Sequence, residues 1–170
     1  MIISGKEVAN YLSDFVKINP NGIDLAPLRV FKIPDNSVAF LHKNMRGYIK
    51  EDETFIEIYD NRVEIHPDSD GYYKIQKGSI IEIVLPKVSV PKDMIALIFP
   101  RSTFNRLGII KSQTGVLDAG FSGTPTQTFY FPISAKIHKS EAWVQMVFLR
   151  IENPTDETYN GYYQEKDLSR

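Results

Sequence analysis

Alternation of apolar and polar positions dominates most of the chain, and it predicts strands. Thr54-Phe55-Ile56-Glu57-Ile58-Tyr59 and Arg62-Val63-Glu64-Ile65-His66 are short β-type runs separated by Asp60-Asn61, a turn signal. Ser79 to Leu85, Met94 to Phe99, Thr126 to Ile133 and Ala142 to Ile151 follow, each rich in β-branched or aromatic residues. Prolines 86, 91, 100, 125, 132 and 154 punctuate these runs, as edges and turns of a β domain require. Pro125 at the start of the run from Thr126 and Pro132 inside it predict an edge strand or a broken one. Helical spacing is confined to two places. Ser4 followed by Glu7 is a capping-box spacing, and Val8, Leu12 and Phe15 then recur at helical intervals, predicting a short amphipathic helix that ends before Asn19-Pro20-Asn21-Gly22. Ser102 to Leu107 reads as a second helical turn.

The length, 170 residues, suits one domain with a sizeable core. We expect a mainly β domain over residues 1–152, closing as a sandwich, barrel or jelly roll. Residues 153–170 are polar and rich in turn formers, with Tyr159, Gly161, Tyr162 and Tyr163 interleaved, and predict a flexible C-terminal arm. The formal charge of −1 offers no global basic field for nucleic acid or an anionic membrane, so a polyanionic ligand has to be caught by a local cluster of donors. There are no cysteines, which excludes disulfides, thiolate zinc sites and cysteine nucleophiles. His42, His66 and His138 show no metal-ligand spacing. The start lacks the basic segment and apolar run of a signal peptide, and no stretch has the length of a membrane span, so a cytoplasmic protein is expected.

Four segments could carry chemistry. In Phe99-Pro100-Arg101-Ser102-Thr103-Phe104-Asn105-Arg106-Leu107-Gly108 a β run stops at a proline before a cation, two hydroxyls and a helical turn. Free N–H groups at a helix start, hydroxyl donors and a fixed guanidinium make a phosphate cradle. A plain N-cap with a solvated Arg101 is the commoner meaning of the same residues. Thr114-Gly115-Val116-Leu117-Asp118-Ala119-Gly120-Phe121-Ser122-Gly123 sets one acid and one aromatic among three glycines. Its backbone could read a base edge while Asp118 orients a water and Phe121 packs on a sugar; equally, Asp118 could cap a turn and Phe121 join the core. Asn21-Gly22-Ile23-Asp24-Leu25 holds an acid that, if buried, needs partners such as the cations of the arginine loop; surface turn chemistry fits the same residues equally. Gln145 is a lone amide in the apolar strand Trp143-Val144-Gln145-Met146-Val147, either an outward-facing residue of an alternating strand or a hydrogen-bonder to a ligand.

Taken in order, Asn-Gly-Ile-Asp-Leu, Pro-Arg-Ser-Thr with Arg-Leu-Gly, Gly-Val-Leu-Asp-Ala-Gly-Phe-Ser-Gly and the Trp-Val-Gln-Met strand closely resemble the dUTPase and dCTP deaminase superfamily. The opening Met-Ile-Ile-Ser and the closing Tyr159-Asn160-Gly161-Tyr162-Tyr163-Gln164 with Leu168-Ser169-Arg170 look like its deaminase-type branch. The resemblance implies a distorted, dUTPase-like jelly roll of the β-clip kind and a homotrimer with active sites at subunit interfaces. It also implies a triphosphate bound with Mg²⁺, the ion held through the substrate's phosphates and not directly by the protein. By position, Arg101, Ser102 and Thr103 match the phosphate-binding loop and Gln145 the phosphate-contacting glutamine. The hairpin from Gly115 and Val116 through Asp118 to Gly123 would hold base and deoxyribose, with Phe121 against the sugar. Tyr163, Gln164 and Lys166 would belong to the arm that closes over the phosphates.

The two branches differ in chemistry. Deaminases of the family attack carbon 4 of cytosine without zinc, using a glutamate a few residues beyond the hairpin together with the serine and second arginine of the phosphate loop. Ser102 and Arg106 are present, but Thr128 stands at the glutamate's place, and threonine cannot shuttle a proton at neutral pH. Hydrolysis needs an aspartate to activate a water for attack on the α-phosphorus, and Asp118 matches that residue. Gly120 and Phe121 depart from the hydrolase hairpin, where a second acid and a tyrosine are usual. The expectation is therefore a dUTP diphosphatase on a deaminase-like scaffold, with Asp118, Ser102 and Arg106 as its catalytic residues. A dCTP deaminase, a bifunctional enzyme and a non-catalytic deoxynucleotide-binding protein are the alternatives.

Overall fold

Period-two burial organises the molecule. In Val144–Arg150, Val144, Met146 and Phe148 are buried while Gln145, Val147 and Leu149 face the other way. In Thr126–Phe131 the inward set is Gln127, Phe129 and Phe131, which leaves Thr126, Thr128 and Tyr130 on the opposite face. The structure is a computed structural model that describes residues 1–35, 37–112, 116–154 and 156–170.

Two antiparallel sheets supply most of the core. One runs in the order Lys17–Asn19, Gly22–Leu25, Val144–Arg150, Met94–Pro100. The other runs Ile110–Lys111, Thr126–Phe131, Ser79–Val84, Arg29–Ile33, Val63–Glu64. A separate three-stranded sheet of Val38–His42, Met45–Ile49 and Phe55–Glu57 keeps Val38 and Leu41 exposed. Trp143, fully buried, meets the rings of Phe104, Phe129, Phe131 and Tyr73 at centroid separations of 5.3 to 6.4 Å, joining the helical turn to both large sheets.

Three expectations change. The N-terminal helix is one α turn, Gly5–Val8, followed by a 3₁₀ turn, Ala9–Tyr11, and Leu12 is already extended. Ser4 Oγ does accept from the Glu7 N–H, at 3.4 Å, but Phe15 lies beyond the helix and is 39% exposed. The period seen at Val8, Leu12 and Phe15 was too short to outweigh strand pairing at Lys17–Asn19. Pro125 and Pro132 bracket their strand instead of interrupting it, and Thr126–Phe131 lies between Ile110–Lys111 and Ser79–Val84, not at an edge. The run from Thr54 to Tyr59 is a strand only at Phe55–Glu57, because turn residues follow.

Candidate active site

The residues singled out from the sequence fall into two groups. Strand Met94–Pro100 stops at its proline, and the helix Ser102–Arg106 begins at once, with Arg101 as an N-cap that makes no side-chain cap hydrogen bond. Ser102 and Thr103 are exposed in that first turn, and Arg106 is exposed at its end. Arg101 is not simply solvated. Its guanidinium pairs with Asp24, whose carboxylate is also held by Asn19 Nδ2 at 2.7 Å. Asp24 is 2% exposed, so the anion fixes the cation against the sheet. Gln145 is in register with Asp24 on one side and with Phe99 on the other, which places its amide on the same face as the Asp24–Arg101 pair. This is one patch of cation, amide and hydroxyls.

The second group is the glycine hairpin. Leu117 bridges to Ala96 by reciprocal backbone hydrogen bonds of 3.0 Å, so the hairpin is anchored to the long strand Met94–Pro100. The Phe121 N–H donates to Asp118 O at 3.0 Å, closing a turn over Ala119 and Gly120. Gly120 has φ +80°, and a Cβ there would sit 2.8 Å from the Thr158 Cβ. A side chain at this position would be strained by the backbone conformation and would press on Thr158. Gln113, Thr114 and Gly115 lie outside the described residues, and with them the expected contact at Gly115.

Beside the hairpin is a pocket of about 390 Å³, lined among others by Val116, Asp118, Phe121, Thr126, Thr128, Tyr163 and Lys166. Its volume falls in the ordinary range for small-molecule sites. Phe121 serves two ends: it is 6% exposed, packs on Tyr159 at 5.6 Å between centroids, and still borders the pocket. Asp118 is exposed at the wall.

The C-terminal segment docks on this hairpin. Gln164 Nε2 donates to Gly120 O and Gln164 Oε1 accepts from the Ser122 N–H, each at 3.0 Å. Thr124 N–H donates to Lys166 O at 2.9 Å, and Tyr159 N–H to Ala119 O at 2.9 Å. Tyr163 and Lys166 thereby reach the pocket, while Lys166 Nζ lies 3.6 Å from the Tyr162 ring centroid. None of Arg101, Ser102, Thr103, Arg106 or Gln145 lines it. Within one chain the Arg101 patch and the hairpin pocket share no lining residue.

Three residues at or behind the pocket escaped the sequence reading: Tyr59, Arg62 and Glu82. Burial pushes the Tyr59 phenol well above its ordinary value, so it stays protonated as a donor. Glu82, 7% exposed, pairs with Arg62, whose guanidinium also lies 4.0 Å from the Phe31 ring centroid. A single charge inside Ser79-Ile80-Ile81-Glu82-Ile83-Val84 was the available signal, of the same kind that marked Gln145. No described helix is long and apolar enough to cross a membrane.

Comparison with known proteins places these features in a family. The dCTP deaminase-like family profile matches residues 1–151. A dUMP-forming dCTP deaminase of Persephonella marina is 27% identical over 165 residues, covering 96% of this chain and 86% of that one. A probable deoxyuridine 5'-triphosphate nucleotidohydrolase of Methanococcoides burtonii is 28% identical over 165 residues, covering 95% of this chain and 89% of its own. Among solved structures, the 2'-deoxycytidine 5'-triphosphate deaminase of Agrobacterium tumefaciens superposes with a TM-score of 0.59 at 16% identity, a likeness of fold. The match covers 86% of this chain but 46% of that longer one. The profile runs from the first residue through the strand that carries Gln145, and relatives named for deamination and for hydrolysis align over nearly the whole length: the chain belongs to the dCTP deaminase-like family.

Proposed function

We propose that the chain is a dUTP diphosphatase, converting dUTP to dUMP and pyrophosphate. The observation that carries this reading is Asp118: an exposed carboxylate on a hairpin turn at the wall of the pocket, while Thr128 replaces the deaminase glutamate. In the proposed reaction Asp118 takes a proton from a water as that water attacks the α-phosphorus. The bond from the α-phosphorus to the bridging oxygen of the β-phosphate breaks opposite, and pyrophosphate departs. Backbone groups from Val116 to Gly123 hold the base, and the Phe121 ring limits space beside the sugar. Lys166 and Gln164, docked on the hairpin, fit an arm that covers the phosphates and excludes water.

The reading also takes the working unit to be a homotrimer. Arg101, Ser102, Thr103 and Gln145 form a fixed donor patch that does not line the pocket of their own chain, so a second copy has to bring that patch to it. Phe99, Leu107 and Ile110, each about half exposed beside the patch, are the apolar surface such a contact would bury. The reading takes its metal ion to arrive on the triphosphate, held by the substrate's phosphates. Mg²⁺ carried in that way would neutralise phosphate charge.

Replacing Asp118 by Asn tests the proposal. Hydrolysis of dUTP should fall by about 10²- to 10⁴-fold while dUTP binding is retained. A variant that turns over at the parent rate would remove Asp118 from the mechanism. Tight dUTP binding by the parent without product would favour a non-catalytic nucleotide-binding protein.

A further inference from the structure

Among the described residues, Lys166 is the one cation in the walls of the hairpin pocket, whereas a triphosphate carries several negative charges. A second cation stands beside it, on the strand Met45–Ile49. The register that pairs Gly47 with Glu57 continues through a hydrogen bond of 3.0 Å from the Ile58 N–H to Arg46 O, so Arg46 is directly opposite Ile58. Opposed residues of an antiparallel pair project from the same face. Ile58 is a wall of the pocket, and Arg46 therefore projects on the pocket side of its sheet.

The C-terminal arm meets Arg46 there. The guanidinium carbon lies 4.8 Å from the centroid of the Tyr162 ring, and Lys166 Nζ lies 3.6 Å from the same centroid. Tyr162 stands at right angles to Tyr163, 5.0 Å between centroids, and Tyr163 is another wall of the pocket. Two like charges held on one exposed ring repel each other. Neither is neutralised, since no described carboxylate forms an ion pair with Arg46 or Lys166. Arg29, Arg62, Arg101 and Arg150, by contrast, are each paired with a carboxylate. Arg46 and Lys166 are only half-buried, which leaves their N–H groups open to a ligand.

We propose that Arg46 is a further substrate-binding residue, which with Lys166 forms a two-cation clamp for the outer phosphates of the nucleotide. The proposal rests on the reading of the pocket as a deoxynucleoside triphosphate site. The base lies against the hairpin, and the polyphosphate runs out past Lys166 to Arg46, with the Tyr162 ring holding the two cations in place. A guanidinium suits the outer end because it donates two parallel N–H bonds to one phosphate. An anion between the cations also cancels their repulsion, so a bound triphosphate draws the arm onto the sheet that carries Arg46. A monophosphate is too short to reach the clamp and leaves the arm as it was.

The test is calorimetric binding of the non-hydrolysable α,β-imido-dUTP and of dUMP to the full chain and to Arg46→Gln, both with Mg²⁺, beside an assay of dUTP hydrolysis by the parent. Arg46→Gln should bind the triphosphate analogue about tenfold or more weakly and dUMP as the parent does. The gap between parent and variant should narrow as salt rises from about 0.05 to 0.5 M, because the lost contact is a partly exposed charge. A purely structural role for Arg46 predicts neither the split between the two nucleotides nor its dependence on salt. Equal weakening of both nucleotides, analogue binding at parent affinity, or a parent that does not bind the analogue would overturn the proposal. If the variant keeps parent affinity while the parent hydrolyses dUTP, the clamp falls and the diphosphatase reading stands. If the split is found in a protein that leaves dUTP intact, the clamp stands and that reading falls.

Discussion

Arg101 is useful only because Asp24 stands behind it. A solvated arginine samples many rotamers, and ordering it on a phosphate costs up to about 2 kcal/mol of side-chain entropy. The buried Asp24 carboxylate fixes the guanidinium before any ligand arrives, and Asn19 fixes the carboxylate. Replacing Asp24 by Asn removes the charge that does this while keeping the shape. In the dUTP reaction we expect KM to rise by about tenfold, equivalent to about 1.4 kcal/mol, with a smaller change in kcat. Steady-state kinetics on the folded variant reads it, and an unchanged KM would dissociate the pair from phosphate binding. The partnership was one of two meanings the sequence left open: an acid between apolar residues, if buried, needs a cation such as the Arg101 loop offers, while surface turn chemistry fitted equally. Glu82 posed the same question and went unread, because Arg62, its answer, lies in a segment with no recognisable motif and meets it only through the fold.

At the scale of elements, the hairpin and the C-terminal segment form one unit. Gly120 adopts φ +80° and packs on Thr158, Gly123 lies 3.0 Å (measured to the position a Cβ would take) from Lys166 O, and Gln164 bridges two backbone groups of the turn. Replacing Gly120 by Ala forces a side chain into the left-handed region and against Thr158. The conformational cost alone is about 1–2 kcal/mol. We expect a lower melting temperature and faster cleavage within residues 153–170 on limited proteolysis. Equal cleavage rates in variant and parent would show that the segment does not depend on this contact. Periodicity predicted the long strands Ser79–Val84, Met94–Pro100 and Val144–Arg150 well, because each buries one full face. It missed Val38–His42 and Met45–Ile49, which lie in a separate, partly exposed sheet with no strict in-out alternation. Composition did not show the docking of residues 156–170, which only the family resemblance implied, because it depends on backbone hydrogen bonds and on the Gln164 amide.

The whole molecule brings a donor patch and a pocket to separate places on one chain, and the proposed hydrolysis requires them together. That separation is the structural argument for a working assembly of several copies. The sequence order of motifs implied such an assembly through resemblance, and the proposal of several copies adds this separation in its support. The account's central claim is hydrolysis of dUTP at the α-phosphorus by a water that Asp118 activates. The measurement that tests it most directly is incubation of the protein with dUTP and Mg²⁺ in ¹⁸O-labelled water, followed by mass analysis of both products. The account predicts dUMP carrying one ¹⁸O and unlabelled pyrophosphate, in equal amounts, with both lost in Asp118→Asn. Label in the pyrophosphate, or dUTP recovered intact, would contradict it.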